Sequence, residues 1–222
     1  MLIDPFGRIV DYLRISITDK CNYRCIYCMP KEGVTLKRHD EILRLEDLAK
    51  IAQAGAELGI RKIRLTGGEP LVRKNIVTLI KWLSGISKIQ EVVMTTNGSL
   101  LTEEFAVALK KAGLGRINIS LDTLNPVKFH KYTRLGNIED VLRGIQSAKK
   151  AGLLPIKINM VIFPETSKKE IDEMSSYCES EGFVLQKIMQ FSLYDRNDLS
   201  NKFHTERPPK CESCNRLRLT AD

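Results

Sequence analysis

The fold of this chain is indicated most directly by the segment Tyr12-Leu-Arg-Ile-Ser-Ile-Thr-Asp-Lys-Cys-Asn-Tyr-Arg-Cys-Ile-Tyr-Cys28. Its first seven residues form a run that is typical of a β-strand. Its last eight place Cys21, Cys25 and Cys28 on the loop that follows, with the spacing C-x-x-x-C-x-x-C. The segment therefore predicts a strand that delivers three thiols to a single loop.

Three closely spaced thiolates can each hold one iron of a four-iron, four-sulfur cube. Bound clusters of this type normally take four protein ligands, so the loop leaves one iron open, and open metal positions are where reactions occur. The spacing favours a reactive [4Fe–4S] cluster over an electron-transfer or structural one. A zinc site would more often combine paired C-x-x-C units or histidines. A disulfide does not suit three cysteines on one loop, and buried structural cysteines are the remaining alternative.

The rest of the chain alternates strand-like and helix-like segments. Strands are predicted near residues 12–18, 62–66, 90–96, 115–121, 155–162 and 183–191. Helices are predicted near 45–58, 75–83, 102–113, 137–151 and 167–181. Such successive βα units require a parallel sheet with right-handed crossovers. Periodicity alone leaves open whether this sheet is doubly wound or a partial barrel.

Length and composition indicate one sizeable globular domain, with 222 residues and 43% hydrophobic content. The net charge of +8 suits an anionic small molecule or nucleic acid, with a merely basic surface as the alternative. No apolar run approaches the ~20 residues of a membrane helix, and we see no secretion signal. Unpaired cysteines at cluster spacing fit the reducing cytoplasm.

Polar motifs follow three of the predicted strands. Gly67-Gly-Glu-Pro70 comes after strand 62–66, and its glycines would let the backbone approach a ligand without a Cβ atom. Thr95-Thr-Asn-Gly98 and Ser120-Leu-Asp-Thr123 end the next two strands. The alternative for all three motifs is ordinary turn chemistry, because these are common turn residues. In a parallel barrel the three strand ends would gather on the rim where function is located.

The cysteine loop and the Gly67–Pro70 motif together resemble the defining motifs of the radical S-adenosylmethionine (SAM) enzymes. The resemblance implies an α/β fold, namely a partial six-stranded (β/α)6 TIM-like barrel with a short C-terminal extension. It also implies that the open iron chelates SAM, whose reductive cleavage yields a 5′-deoxyadenosyl radical. The SAM contacts that it implies, with the Glu69 carboxylate on the methionine ammonium, are Tyr27, Gly67, Gly68, Glu69, Thr96, Asn97 and Ser120.

Longer stretches resemble one narrower family, the GTP 3′,8-cyclases of molybdenum-cofactor biosynthesis. They are residues 4–8, 12–16, 18–22, 62–73, 119–123 and 157–159. In that family, basic side chains inside the barrel hold GTP, and the matching residues here are Arg14, Lys62, Arg64 and Lys157. Lys62 and Arg64 share one face of their strand. That face is the barrel interior or the helix layer, with simple solvent exposure as a further alternative.

The sequence changes character after Phe191, where periodicity gives way to polar residues and prolines. We therefore predict a barrel over residues 1–191 and a truncated C-terminal extension over 192–222. The extension contains Cys211 and Cys214, followed by Arg216 and Arg218. This pattern resembles the family's second cluster site, in which a third cysteine follows and the arginines hold the substrate.

The second cluster site is expected to be incomplete, because the sequence ends at Asp222 before a third cysteine. A zinc site shared with another chain, or free thiols, are the alternatives for Cys211 and Cys214. Cys178 lies at helical spacing with Ile171 and Met174, so we predict that it is a buried apolar residue and not a ligand.

The leading hypothesis is a radical SAM enzyme resembling the GTP 3′,8-cyclases. The alternatives are a radical SAM enzyme that acts on another nucleotide or a peptide, and a non-catalytic iron–sulfur or nucleotide-binding relic. The expected partners are GTP or another anionic small molecule and an electron donor, with a homodimer as a further prediction. Membrane contact and nucleic-acid binding are not expected.

Overall fold

The computed structural model describes residues 1–5, 7–190 and 214–221. The strands in this part of the chain are β1 (Leu2–Ile3), β2 (Ile9–Val10), β3 (Tyr12–Ser16), β4 (Lys62–Thr66), β5 (Glu91–Thr96), β6 (Leu114–Ser120), β7 (Lys157–Ile162), β8 (Val184–Met189) and β9 (Arg216–Leu219). The helices are α1 (Leu45–Leu58), α2 (Ile76–Ser84), α3 (Glu103–Lys111), α4 (Pro126–Thr133), α5 (Ile138–Lys150) and α6 (Lys168–Glu181), with short 3₁₀ turns at His39–Glu41 and Pro70–Val72.

Seven of the strands form one sheet in the order β8-β7-β6-β5-β4-β3-β9, in which every neighbouring pair is parallel. The strands β1 and β2 pair separately as an antiparallel ribbon. The large sheet curls into a partial barrel. The predicted α/β partial barrel is therefore confirmed, and its six predicted strands correspond to β3 through β8.

The two faces of the sheet have different compositions. On β3 and β4, Leu13, Ile15, Ile63 and Leu65 are at most 2% exposed and belong to the core shared with the helices. The residues that alternate with them point to the opposite face, because successive side chains of a strand lie on opposite sides. That concave inner face carries mostly polar and charged side chains. Cys178 is 1% exposed in the core, so its predicted burial is confirmed.

Helices α3 to α6 begin at side chains that accept hydrogen bonds from free backbone N–H groups. The Thr102 hydroxyl accepts a hydrogen bond from Phe105 N (3.2 Å) at the start of α3. Ser167 and Glu170 form a reciprocal capping box at the start of α6. Within the described part of the chain, no helix has both the length and the hydrophobicity of a membrane span.

Strand β9 is an element that the sequence patterns did not predict. It lies in the C-terminal extension and pairs with β3 in the register Tyr12 to Arg216 through Ile15 to Leu219. Its Arg-Leu-Arg-Leu sequence is short and half charged, so it lacks the apolar signal of a central strand. Pairing at the edge of the sheet therefore brings part of the extension into the barrel. The division of the chain at residue 191 stays a prediction.

Helix α4 was also missed, although it carries a recognisable start. The Asn125 side chain accepts a hydrogen bond from Lys128 N (3.0 Å), and Pro126 occupies the first helical turn. Only eight residues long, this helix gives little periodicity to detect.

Candidate active site

The cysteine loop leaves the C-terminal end of β3 and folds into a tight turn. The amides of Cys28 and Met29 donate hydrogen bonds to the Cys25 carbonyl, at 2.9 and 3.1 Å. The Tyr23 amide donates to the Cys21 sulfur at 3.3 Å. Cys21, Cys25 and Cys28 are free and half-buried. The structure thus brings the three predicted ligands together on one loop.

The electrostatics of the loop suit a cationic iron cluster. Burial raises the pKa of all three thiols, that of Cys28 to about 12. The neighbouring cysteines and the Asp122 carboxylate raise the pKa of Cys25 and Cys28 further. Thiolates here therefore need a nearby positive charge, which iron supplies when it displaces the thiol protons.

The side chains that the loop offers to a metal are three thiols and no histidine. In the described parts of the chain, no three His, Cys, Asp or Glu side chains are grouped to hold one ion. A four-iron cube makes a different demand, because each thiolate binds a separate iron. The donor set of three cysteines therefore fits a [4Fe–4S] cluster.

Gly67 and Gly68 pack directly against the strand-to-loop segment that leads to the cysteines. The Gly68 amide donates to the Thr18 carbonyl, and the Glu69 amide donates to the Lys20 carbonyl, both at 2.8 Å. A Cβ atom on Gly67 would lie 2.5 Å from the Thr18 oxygen, and one on Gly68 would lie 2.3 Å from the Lys20 oxygen. The glycines are thus required by contact between two backbone segments, a reason that the sequence prediction of close ligand approach did not contain.

The Glu69 carboxylate points into the protein, where it is 1% exposed. Its Oε1 accepts hydrogen bonds from the Thr96 hydroxyl (2.5 Å) and the Leu71 amide (2.9 Å), and its Oε2 accepts one from the Asn97 amide (2.7 Å). Burial raises its pKa, although these hydrogen bonds oppose the shift. Glu69 therefore joins the ends of β4 and β5. The contact of Glu69 with the SAM ammonium stays a prediction, and so does the contact of Thr96 with SAM.

The side chain of Asn97 links the end of β5 to the cysteine loop. Its Nδ2 donates to Asn22 Oδ1 at 2.9 Å, and its Oδ1 accepts from the Ser99 amide at 3.0 Å. Ser120 lies half-buried at the end of β6, in register with Asn159. Both residues thus lie on the rim of strand ends, as expected for the predicted SAM contacts.

Tyr27 is held by the buried carboxylate of Asp122, a member of the strand-end motif Ser120–Thr123 that was not itself predicted as a site residue. Its hydroxyl donates to Asp122 Oδ2 at 2.9 Å, and the Val161 amide donates to Asp122 Oδ1 at 2.9 Å. Burial raises the pKa of Asp122 to about 6. The Tyr27 ring lies 5.7 Å from the Phe163 ring. Asp122 directly follows the predicted strand 115–121, and this position is the signal that could have identified it.

The predicted GTP-binding cations lie on the inner face of the sheet, which resolves the alternative left open by the sequence. Arg64 donates to Thr95 Oγ1 at 2.7 Å and to the Tyr12 hydroxyl, and Arg14 donates to Thr66 Oγ1 at 3.4 Å. Arg14, Lys62, Arg64 and Lys157 are all half-buried. These four side chains therefore lie inside the partial barrel and not on a solvent-exposed strand.

Two further residues of the inner face were not predicted. Glu91 on β5 pairs with Lys62 and with Arg116 on β6, the Arg116 contact being 2.5 Å from Nε to Oε1. Burial opposes ionisation of Glu91, but these two cations outweigh it and lower its pKa. Arg116 shares a strand face with Ser120 at a period of two, and this spacing is the signal that was overlooked.

The inner face has an excess of positive charge. Burial lowers the pKa of Arg14, and Arg218 and Arg64 lower it further. Burial likewise lowers the pKa of Lys157, with added repulsion from Arg116 and other cations. Asn118, which is 3% exposed, leaves its side-chain oxygen without a hydrogen-bond partner among the described residues. The face therefore offers several cations and one buried acceptor to a ligand.

The C-terminal arginines extend the same face. Arg216 and Arg218 lie opposite Tyr12 and Arg14 in the register of β9 and β3, and both are exposed. The Arg216 guanidinium is 5.9 Å from the centre of the Tyr12 ring. Cys214 is half-buried and free, whereas Cys211 lies outside the described residues. The second metal site stays a prediction.

Residues 15–178 match the family model described as the Radical SAM superfamily. The chain belongs to this superfamily. It is 42% identical to a GTP 3′,8-cyclase from Peptoclostridium acidaminophilum, in an alignment 265 positions long that covers all of this chain and 81% of that protein. It is 53% identical to the GTP 3′,8-cyclase from Petrotoga mobilis, over 91% of this chain and 62% of that protein. Within the superfamily, the chain belongs to the GTP 3′,8-cyclase family.

Solved structures show the same fold at lower identity. SuiB from Streptococcus suis, bound to its precursor peptide SuiA, superposes with a TM-score of 0.69 at 19% identity, covering 83% of this chain and 40% of that chain. The protein anSMEcpe with bound AdoMet gives a TM-score of 0.64 at 20% identity, covering 82% and 52%. These similarities support the partial barrel.

Membership of the superfamily makes this chain a radical SAM enzyme, with a [4Fe–4S] cluster and SAM as its cofactors. Cys21, Cys25 and Cys28 are the residues that would hold the cluster. When bound, the reduced cluster supplies the electron that cleaves the sulfonium of SAM. The contribution of the chain's own residues is to hold, orient and shield these groups.

Proposed function

We propose that this chain converts GTP into 3′,8-cyclo-7,8-dihydro-GTP, a reaction of molybdenum-cofactor biosynthesis. The observation that carries the proposal is the group of half-buried cations on the inner face, next to the rim where the cysteine loop lies. Buried cations are unfavourable without an anion. A triphosphate supplies several negative charges and many acceptor oxygens for charge-assisted hydrogen bonds. The names of the related cyclases support the same substrate.

The cations of the inner face would divide into two groups. Lys62 and Arg116 already pair with Glu91. Arg14, Arg64 and Lys157 form no ion pair with any described carboxylate, so we assign the triphosphate mainly to these three. Arg216 and Arg218 would complete its binding from the neighbouring strand. The unpartnered Asn118 oxygen would accept a hydrogen bond from a donor group of the nucleoside.

SAM would occupy the rim above this face. The Tyr27 ring, the backbone around Gly67 and Gly68, and the Ser120 hydroxyl are the groups we propose to contact it. Glu69, Thr96 and Asn97 would act mainly by fixing the strand ends, since their described hydrogen bonds run within the protein.

The test is anaerobic reconstitution with iron and sulfide, followed by addition of dithionite, SAM and GTP. We expect about four irons at the first site, release of 5′-deoxyadenosine, and a cyclised nucleotide product. ATP in place of GTP is the matched control. Release of 5′-deoxyadenosine without GTP binding would favour another nucleotide or a peptide as substrate. If the cluster is intact and no 5′-deoxyadenosine is released, the assignment of radical SAM activity to this chain would be contradicted.

Three further predictions belong with this proposal. An external one-electron donor would reduce the cluster in the cell. The chain would act in the cytoplasm, where free thiols persist. A homodimer stays a prediction, which sedimentation of the reconstituted chain would test.

A further inference from the structure

The cysteine loop is attached to the end of helix α4 by backbone pairing. The Arg24 amide donates to the Thr133 carbonyl at 3.0 Å, and the Ile26 amide donates to the Tyr132 carbonyl at 2.9 Å. Ile26 and Tyr27 pack on a small apolar cluster of Tyr132, Val161 and Phe163. Helix α4 therefore supports the segment that carries Cys25 and Cys28.

Arg134, the residue that ends α4, contacts the loop a second time. Its Nη1 donates to the Arg24 carbonyl at 3.1 Å and to the Met29 carbonyl at 2.8 Å. These carbonyls immediately precede Cys25 and immediately follow Cys28. One guanidinium therefore closes the loop on both sides of two cluster ligands. The side chain is half-buried and forms no ion pair with a residue that the structure describes.

The backbone of Arg134 is unfavourable for an arginine. Its φ is +63°, and Asn75 is the one other non-glycine residue with a positive φ in the described part of the chain. With ψ at −35° the residue lies outside the left-handed helical region, and glycine would adopt this conformation more easily. Unusual backbone conformations that persist at such places are a reason to look for a function of the side chain. The helix end alone does not account for an arginine here.

We propose that Arg134 is a positioning residue for the [4Fe–4S] cluster. Its guanidinium holds residues 24–29 in the ligand-bearing conformation and places a fixed positive charge beside the cluster. Groups outside the ligand shell orient the ligands and tune the metal, and nearby charge and hydrogen bonds set the reduction potential of such clusters. The proposal rests on the cluster of the superfamily and is independent of GTP as substrate.

Three variants of the full chain, reconstituted anaerobically, test this role. Arg134→Gly removes the guanidinium and relieves the backbone, Arg134→Lys keeps a cation that can donate to both carbonyls, and Arg143→Ala is the control. Arg143 is exposed on α5, where it pairs with Asp140. The readouts are iron per chain, the cluster midpoint potential followed by electron paramagnetic resonance, thermal unfolding of the metal-free chain, and 5′-deoxyadenosine release without GTP.

For Arg134→Gly we expect unchanged or higher thermal stability of the metal-free chain, together with a more negative midpoint potential or loss of iron. The rate of 5′-deoxyadenosine release should fall by about tenfold or more. Arg134→Lys should restore most of the potential and rate, and Arg143→Ala should match the original chain. A glycine variant with the original potential and rate would overturn the proposal, as would a lysine variant as impaired as the glycine variant. Because GTP is absent, neither result bears on the proposed substrate.

Discussion

The cysteine-loop rim and the inner face of the sheet satisfy their polar groups in opposite ways. On the rim, the buried carboxylates of Glu69 and Asp122 accept three and two hydrogen bonds from the protein. On the inner face, burial and repulsion from neighbouring cations lower the pKa of Arg14 and Lys157. The rim is therefore organised before any ligand arrives, whereas the inner face is completed only by an anion.

The largest effect is expected when a ligand of the cluster is removed from the rim. Cys25→Ala deletes one of three thiolates and should abolish stable cluster binding and 5′-deoxyadenosine release, measured by iron content and product chromatography. Cys178→Ala is the matched control, because Cys178 is a buried core residue of helix α6 and not part of the loop. It should lower stability and leave the iron content unchanged. Iron retained at the original level in Cys25→Ala would contradict the three-cysteine site.

The next effect is expected on the inner face. Arg64→Ala removes a charge-assisted donor and should weaken GTP binding by about 1.5–3 kcal/mol, roughly ten- to hundredfold. Equilibrium binding of GTP measures this loss. Cleavage of SAM without GTP should be unaffected, since Arg64 forms its described hydrogen bonds with Tyr12 and Thr95 on the inner face. Unchanged GTP affinity would separate the cationic face from the proposed substrate.

Glu69→Gln tests whether the rim is organised by internal hydrogen bonds. The carboxylate of Glu69 accepts hydrogen bonds from N–H and O–H groups, and the NH₂ of a glutamine would face one or more of these donors without accepting from them. We therefore expect a loss of about 1–3 kcal/mol in the free energy of unfolding. Urea unfolding measures it, with the exposed Glu46→Gln as control. The opposite result, weakened SAM binding at unchanged stability, would instead favour the contact with the methionine ammonium predicted from the family resemblance.

The smallest effect is expected when a substitution makes the inner face more cationic. Glu91→Gln releases Lys62 and Arg116 and should strengthen GTP binding by roughly 1 kcal/mol, about fivefold. It should also lower stability near neutral pH. Because the folded-state pKa of Glu91 is lowered, its stabilising contribution is present above its usual value of 4.5 and is lost as the pH falls through the lowered pKa. The stability difference between the two chains should therefore shrink in acid, and a constant difference would argue against the ion pairs.

Local pattern was sufficient for strands β3 to β8, the cysteine loop and the burial of Cys178, because each depends on spacing within a short stretch. The inner-face position of Lys62 and Arg64 needed the sheet, since a period of two gives a shared face but not its direction. Strand β9 depends on pairing across about two hundred residues of chain, which no local pattern contains. Glu91 with Arg116 and Tyr27 with Asp122 also pair between separate elements, so a local signal could mark the residue but not its partner.

The motif Gly67–Pro70 was located correctly from the sequence, but the reason given for its residues was incomplete. Its glycines suggested close approach to a ligand, but the atoms that exclude a Cβ are the carbonyls of Thr18 and Lys20. Its glutamate suggested a cation, but the described donors to it are protein groups. Sequence indicates which residues are constrained, and the three-dimensional contacts identify the constraint.

The pairing of β9 with β3 has a consequence for the inner face. These strands come from opposite ends of the chain, with Tyr12 opposite Arg216. In chain order β9 follows every other strand of the sheet, so Arg216 and Arg218 reach the inner face only when β9 pairs with β3. The attraction of the inner face for a polyanion is therefore complete only when this one edge pairing has formed.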